Sequence, residues 1–254
     1  MATPEVWQSV SPPIAASPEC GPASRGRRGG SVRQAFDERA ATLSGAGAPN
    51  LPLRSRILKR AVDLAFSSLT LILFAPVFLM IAAAIKFDST GPVFYLSERI
   101  GKNGRVFWCL KFRTMVRDAE RRQPSLMHRN ERDGVLFKIS NDPRVTRVGR
   151  FLRKYSLDEL PQFINVLRGQ MSVVGPRPPI ASEVREYNRT HLRRLAVTPG
   201  ITGLWQTQGR HDPSFESYVS LDLTYIENWS LGLDRKSTRL NSSHSTLSRM
   251  PSSA

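Results

Sequence analysis

The chain has 254 residues, with 37 lysines and arginines against 21 acids, a formal net charge of +16 and a pI near 10.9. That length allows one domain with a real core plus appendages, and the charge calls for an acidic partner: nucleic acid, anionic lipid or a phosphorylated substrate. The basic residues are interleaved with acids, which argues against a nucleic-acid tail. Two distant cysteines (Cys20, Cys109) and four scattered histidines (His128, His191, His211, His244) argue against a disulfide framework or a zinc site.

Residues 1–52 are rich in Pro, Ala, Ser and Gly, without apolar periodicity, and are expected to be disordered. They lack the apolar core of a secretory signal. Arg54, Arg56, Lys59 and Arg60 then sit on a short amphipathic lead-in with Ile57, Leu58, Ala61 and Val62. Residues 64–85 carry no charge. As a helix they would be about 33 Å long, enough for a hydrocarbon core of roughly 30 Å. Both flanks are basic, so the positive-inside rule gives no orientation. A re-entrant hairpin with both ends on one face satisfies that symmetry. Pro76, near the middle, leaves the carbonyl of Ile72 without its helical donor and predicts a kink. A full span with a tolerated proline stays open beside the hairpin.

Gly91-Pro92 turns into a strand, Arg99 to Arg105 forms a basic glycine turn, and Val106 to Arg113 is a second strand, giving a β-hairpin. Lys111 and Arg113 share a strand face by period two and could project at an anion. Residues 116–130 read as a short helix and then a loop. Asn141-Asp142-Pro143 predicts a helix start, running to about Tyr155. Its buried stripe would be Val145, Val148, Leu152 and Tyr155, with Arg144, Arg147, Arg150 and Arg153 on another face.

That basic face leads into Ser156-Leu157-Asp158-Glu159-Leu160-Pro161-Gln162. Two adjacent carboxylates among fixed cations suggest phosphate chemistry. Locally, Ser156 and Glu159 also fit a capping box. Pro161 speaks against the box, and an N-cap at Asp158 suits it better. A helix N-terminus there would keep Asp158 ionised. Further on, residues 183–194 read as a charged helix, and Gly200 and Gly203 as turn glycines. Tyr218, Leu221, Tyr225, Ile226 and Trp229 form a core or interface stripe. Residues 235–254 show no amphipathic period and read as a disordered tail; the sequence leaves open whether this ending is native.

Three motifs occur in order after the apolar segment: Lys111-Phe112-Arg113-Thr114-Met115, the Ser156 to Gln162 stretch, and Met171-Ser172-Val173-Val174-Gly175-Pro176-Arg177-Pro178. With Pro199-Gly200-Ile201-Thr202-Gly203, they closely resemble the bacterial sugar transferase family, the monotopic polyprenyl-phosphate hexose-1-phosphate transferases. The resemblance runs from about Lys59 to Asp234. It implies an α/β fold, mostly helical with a small β-hairpin. A re-entrant membrane helix (53–86) would precede a compact cytoplasmic catalytic domain (87–234). It further implies an enzyme of the bacterial inner membrane, with its catalytic domain on the cytoplasmic face. Such an enzyme transfers a sugar-1-phosphate from a nucleotide diphosphate sugar, a UDP-sugar foremost, to undecaprenyl phosphate, starting polysaccharide or glycoconjugate assembly.

In that family the aspartate of the Asp-Glu pair is the nucleophile and the glutamate helps hold Mg²⁺. These roles fall on Asp158 and Glu159. Lys111, Arg113, Arg153, Arg177 and Arg210 are the expected phosphate contacts. Arg210 stands in Gly209-Arg210-His211, where the family has Gly-Arg-Asn. Asp222 matches an acidic family position, with a metal role and a buried ion pair both open. Trp205 and Trp229 are candidates for the membrane interface. The chain departs from the family at Ala75-Pro76, where Ser-Pro is usual. Membrane lipid is an expected partner, nucleic acid is not, and the oligomeric state is open. The competing reading is a non-enzymatic membrane scaffold for polysaccharide assembly, in which Asp158 would be dispensable.

Overall fold

The computed structural model describes residues 52–130, 139, 141–208, 214–230, 232–234 and 237. The expected N-terminal tail, Arg210, and nearly all of residues 235–254 lie outside the described residues.

Helix α1 (Leu53–Leu73) and helix α2 (Ala75–Asp88) meet at Phe74 with a bend of 60°. Pro76 lies in the first turn of α2, where its missing N–H leaves no bond unmade. The ladder resumes when the Phe78 amide donates to the Phe74 carbonyl at 2.9 Å. The kink therefore falls where the proline predicts it. No single described helix is long and apolar enough to cross a membrane; the bent pair together is, by length and composition. Around the bend Leu69, Ile72, Leu73, Leu79 and Met80 are exposed.

Strands β1 (Phe94–Ile100) and β2 (Val106–Phe112) form the expected antiparallel hairpin, from Phe94 opposite Phe112 to Ile100 opposite Val106. Asn103 and Gly104 turn it with positive φ. A short helix α3 (Ala119–Arg122) follows. Helix α4 (Arg147–Lys154) begins later than Pro143 predicts. The Asp142 carboxylate accepts from the Arg144 amide at 2.9 Å and its guanidinium at 2.6 Å, which holds that stretch as a turn. Thr146 is the cap instead, its hydroxyl accepting from the Gly149 amide at 3.0 Å.

Beyond the Leu157–Glu159 3₁₀ turn come α5 (Gln162–Leu167) and β3 (Ser172–Val174). The single charged helix expected over 183–194 is two pieces, α6 (Ala181–Arg185) and α7 (Arg189–Leu192). Asn188 breaks it by capping the His191 amide at 2.8 Å. Strand β4 (Gly200–Thr202) pairs parallel to β3, followed by α8 (Leu204–Gln208) and α9 (Phe215–Glu227). Gly200 is not a turn glycine, as the sequence suggested. A Cβ there would lie 2.1 Å from the Gly175 amide nitrogen. Glycine is required because two backbones touch.

Three apolar clusters fix the site from below. One joins β2, α5, β3 and α9 through Phe107, Phe163, Val166, Val173 and Tyr225. A second seats Ile100 against Val184, Tyr187 and Leu195. The third packs Ile81 and Ile85 of α2 against Phe112 and Leu152. The lead-in charges are bound to protein as well. Lys59 donates to the Val174 carbonyl and pairs with Asp234 at 2.7 Å. Arg60 donates to the Val166 and Leu167 carbonyls at the end of α5, where a helix leaves its carbonyls unpaired. Buried Asp63 accepts from Ser172 Oγ at 2.7 Å and the Val173 amide at 3.1 Å. Helix α1 is thus bolted to the domain it precedes.

Candidate active site

Ser156 adopts the left-handed conformation, φ 55°, at a cost of roughly 1–2 kcal/mol for a non-glycine residue. It turns the chain out of α4 and presents Asp158 and Glu159 to a cavity of about 810 Å³. The capping box does not form, and Asp158 is not an N-cap; α5 starts at Gln162 with Pro161 ahead of it. The helix N-terminus expected to keep Asp158 ionised is therefore not at Asp158.

The two carboxylates sit in different surroundings. Lys111 Nζ lies 2.6 Å from Glu159 Oε1. Burial pushes Glu159 up, but Lys111, with Arg177 and Arg99, outweighs it and holds the carboxyl below its ordinary range. Burial and the Glu159 charge push Asp158 above its ordinary range, against the pull of Lys111 and Arg153. Asp158 is bonded to no other side chain among the described residues, only its own backbone amide lying within reach of the carboxylate. Adjacent acids are thus split into one bound to a cation and one left open to the cavity, the kind of division that separates chemical roles.

The expected cations are brought together unevenly. Arg153 lines the cavity, its Nε donating to Thr114 Oγ1 at 2.9 Å. Arg113 also lines it but does not point with Lys111. Its Nη2 donates to the Ser89 carbonyl and hydroxyl, and its Nε and Nη1 are buried without partners among the described residues. Arg177 stands beside the cavity with its guanidinium 5.8 Å from the Trp205 ring and its charge felt at Glu159. Asp222 is fully buried in an ion pair with Arg194 at 2.7 Å and does not line the cavity. Trp205 lines the cavity, and Trp229 donates to Asp234 at 3.2 Å, so both are packed into the domain.

Arg99 was missed from the sequence. It lines the cavity and donates to the Pro178 carbonyl at 3.1 Å. The signal was available: Arg99 pairs with Phe107, and in that register it shares a face with Cys109 and Lys111. Among the described residues no three His, Cys, Asp or Glu side chains cluster as a metal cage. Two adjacent carboxylates on a cavity still suit Mg²⁺, which takes one or two protein carboxylates with substrate phosphate oxygens and water.

A carboxylate pair among converging cations, set beside a bent apolar helix pair, is chemically suited to handling phosphate groups. The chain belongs to the bacterial sugar transferase family, whose model matches residues 54–241. It is 47% identical over 180 residues to the exopolysaccharide production protein ExoY of Rhizobium meliloti (strain 1021), covering 69% of this chain and 80% of the relative. It is 42% identical over 193 residues to the undecaprenyl-phosphate galactose phosphotransferase of Salmonella typhimurium, covering 73% of this chain and 40% of the relative. To the UDP-glucose:undecaprenyl-phosphate glucose-1-phosphate transferase of Escherichia coli (strain K12) it is 41% identical over 206 residues, 75% of this chain and 42% of that one.

Proposed function

We propose that this enzyme moves a sugar-1-phosphate from a nucleotide diphosphate sugar, a UDP-sugar first among candidates, to undecaprenyl phosphate, through a covalent intermediate on Asp158. The observation that carries the reading is the open Asp158 carboxylate beside a Glu159 already bound to Lys111. The names of the Salmonella and Escherichia relatives support the substrates.

An Asp158 carboxylate oxygen attacks the sugar-bearing phosphorus, and the bond from that phosphorus to the bridging oxygen breaks, releasing a nucleoside monophosphate. A phosphate oxygen of undecaprenyl phosphate then attacks the same phosphorus and expels the Asp158 carboxylate. One difficult displacement becomes two easier ones. Lys111, Arg153 and Arg177, with Arg113 and Arg210, are the groups to neutralise the phosphates. Glu159 would help hold Mg²⁺, which when bound offsets charge on the diphosphate. Asp222 has no place in that set as long as it pairs with Arg194.

In this reading a lipid acceptor calls for a site at the headgroup level, and the proposed location is the bacterial inner membrane with the catalytic domain on its cytoplasmic face. The bent α1–α2 pair and its exposed apolar side chains support a re-entrant anchor. The test is a radiolabelled nucleotide sugar supplied with undecaprenyl phosphate and Mg²⁺. Label should pass to the lipid extract with wild-type protein and not with Asp158→Asn; label passing equally with both would rule the nucleophile out.

A further inference from the structure

Arg194 lies outside the cavity, is 2% exposed, and gathers four groups around one guanidinium. Its Nε donates to Asp222 Oδ2 at 2.9 Å, Nη1 to the Tyr187 hydroxyl, and Nη2 to the Tyr218 hydroxyl and, at 3.4 Å, to the Arg177 carbonyl. The Tyr218 ring also stacks on it, 4.4 Å from the centroid. Burial works against the Arg194 charge, but Tyr218, Asp222 and Tyr187 hold it fully protonated. A buried charge hydrogen-bonded at all three of its nitrogens is held in place, and it holds what it touches.

What it touches is the loop carrying Arg177. That loop is held from three further directions. Gly175 packs backbone to backbone against Thr198 and Gly200. Arg99 donates to the Pro178 carbonyl, and the Ile100 amide donates to the Pro179 carbonyl at 2.9 Å. Prolines at 176, 178 and 179 remove most of the remaining freedom. Yet the Arg177 guanidinium itself makes no hydrogen bond among the described residues; it rests over Trp205. A clamped backbone under a cation with no hydrogen bond among the described residues leaves little main-chain ordering for a bound anion to supply.

We infer that the Asp222–Arg194 pair, with Tyr187 and Tyr218, is a positioning device that holds Arg177 for the diphosphate of the donor. The inference rests on the proposed reaction only in taking a diphosphate as the ligand. It gives Asp222 a task that does not require contact with substrate or metal.

The test is a double-mutant cycle on pyrophosphate affinity, measured by calorimetry on the full chain in detergent, with and without Mg²⁺. Arg177→Ala should weaken pyrophosphate about tenfold, and Asp222→Asn by a similar factor. In the Arg177→Ala background Asp222→Asn should change affinity less than about twofold, because its effect passes through Arg177. Tyr218→Phe, which removes one bond to Arg194 and no charge, should show the same pattern at smaller size, and it serves as the test if Asp222→Asn does not fold. Equal weakening in both backgrounds would overturn the inference. So would an Asp222→Asn effect seen only with Mg²⁺, which would make Asp222 a metal ligand. Failure of wild type to bind pyrophosphate would also overturn it, whereas failed sugar transfer with an intact cycle would leave the anion site standing and remove only the proposed reaction.

Discussion

Lys111 reaches from β2 to Glu159 at 2.6 Å and leaves Asp158, the preceding residue in the chain, without a side-chain partner among the described residues. One cation thus does two things: it keeps Glu159 ionised and it lowers the neighbouring Asp158 from a distance. Replacing it should raise both acids, since loss of a nearby opposite charge disfavours the charged form. Lys111→Met is expected to cut turnover by about a hundredfold or more. It should also move the acidic limb of the kcat/KM profile to higher pH. A limb at the wild-type pH, with turnover lost, would show that Lys111 acts on substrate alone.

The Asp142–Arg144 pair, each side chain 5% exposed, gives a stability prediction. Hydrogen bonding to Arg144 holds the Asp142 carboxyl below its ordinary range. A depressed folded pKa stabilises above the unfolded value of about 3.9 and loses that stabilisation as pH falls through the folded value. Asp142→Asn should cost about 3 kcal/mol at pH 7. Measured by denaturant titration, the gap from wild type should be constant above about pH 5 and shrink below about pH 4. A gap that does not vary with pH would locate its origin in packing.

Gly149 on α4 faces the backbone at Thr114, and a Cβ would sit 2.1 Å from the Thr114 oxygen. Neither side can yield cheaply, since that oxygen also accepts from the Thr146 amide at 3.0 Å. Gly149→Ala should destabilise by about 1–3 kcal/mol. It should also reduce turnover, because α4 carries Arg153 to Thr114. Unchanged melting temperature and rate would mean that α4 is free to slide.

Helix α1 depends on Asp63 for two of its contacts with β3. Asp63→Ala strands the Val173 amide and weakens the hold on Ser172, an expected loss of about 1–3 kcal/mol in detergent unfolding. Asp63→Asn keeps an acceptor oxygen and should lose less. Equal losses would indicate that the charge, rather than the hydrogen bonds, fastens the helix.

Local features were legible in the sequence. The hairpin followed from alternation and its glycine turn, and the bend from one proline in an apolar run. The acidic pair was marked by its basic surroundings. What the sequence hid depends on partners far along the chain. Lys59 and Arg60 look like charges flanking a membrane segment, but they bind carbonyls more than a hundred residues away. Asp222 offers no local sign that Arg194 will claim it. The α4 start was misplaced because Asp142 bonds Arg144 two residues on rather than opening a helix. Arg113 shares β2's period with Lys111, yet the strand ends at Phe112, and its guanidinium turns to Ser89.

The most direct measurement is the mass of the intact protein, quenched partway through reaction with a nucleotide diphosphate sugar and no lipid acceptor. Wild-type protein is expected to gain one sugar phosphate, mapped to Asp158 by peptide sequencing and discharged when undecaprenyl phosphate is added, while Asp158→Asn gains nothing. Lipid-linked product formed while no such adduct appears on Asp158 would contradict the covalent route.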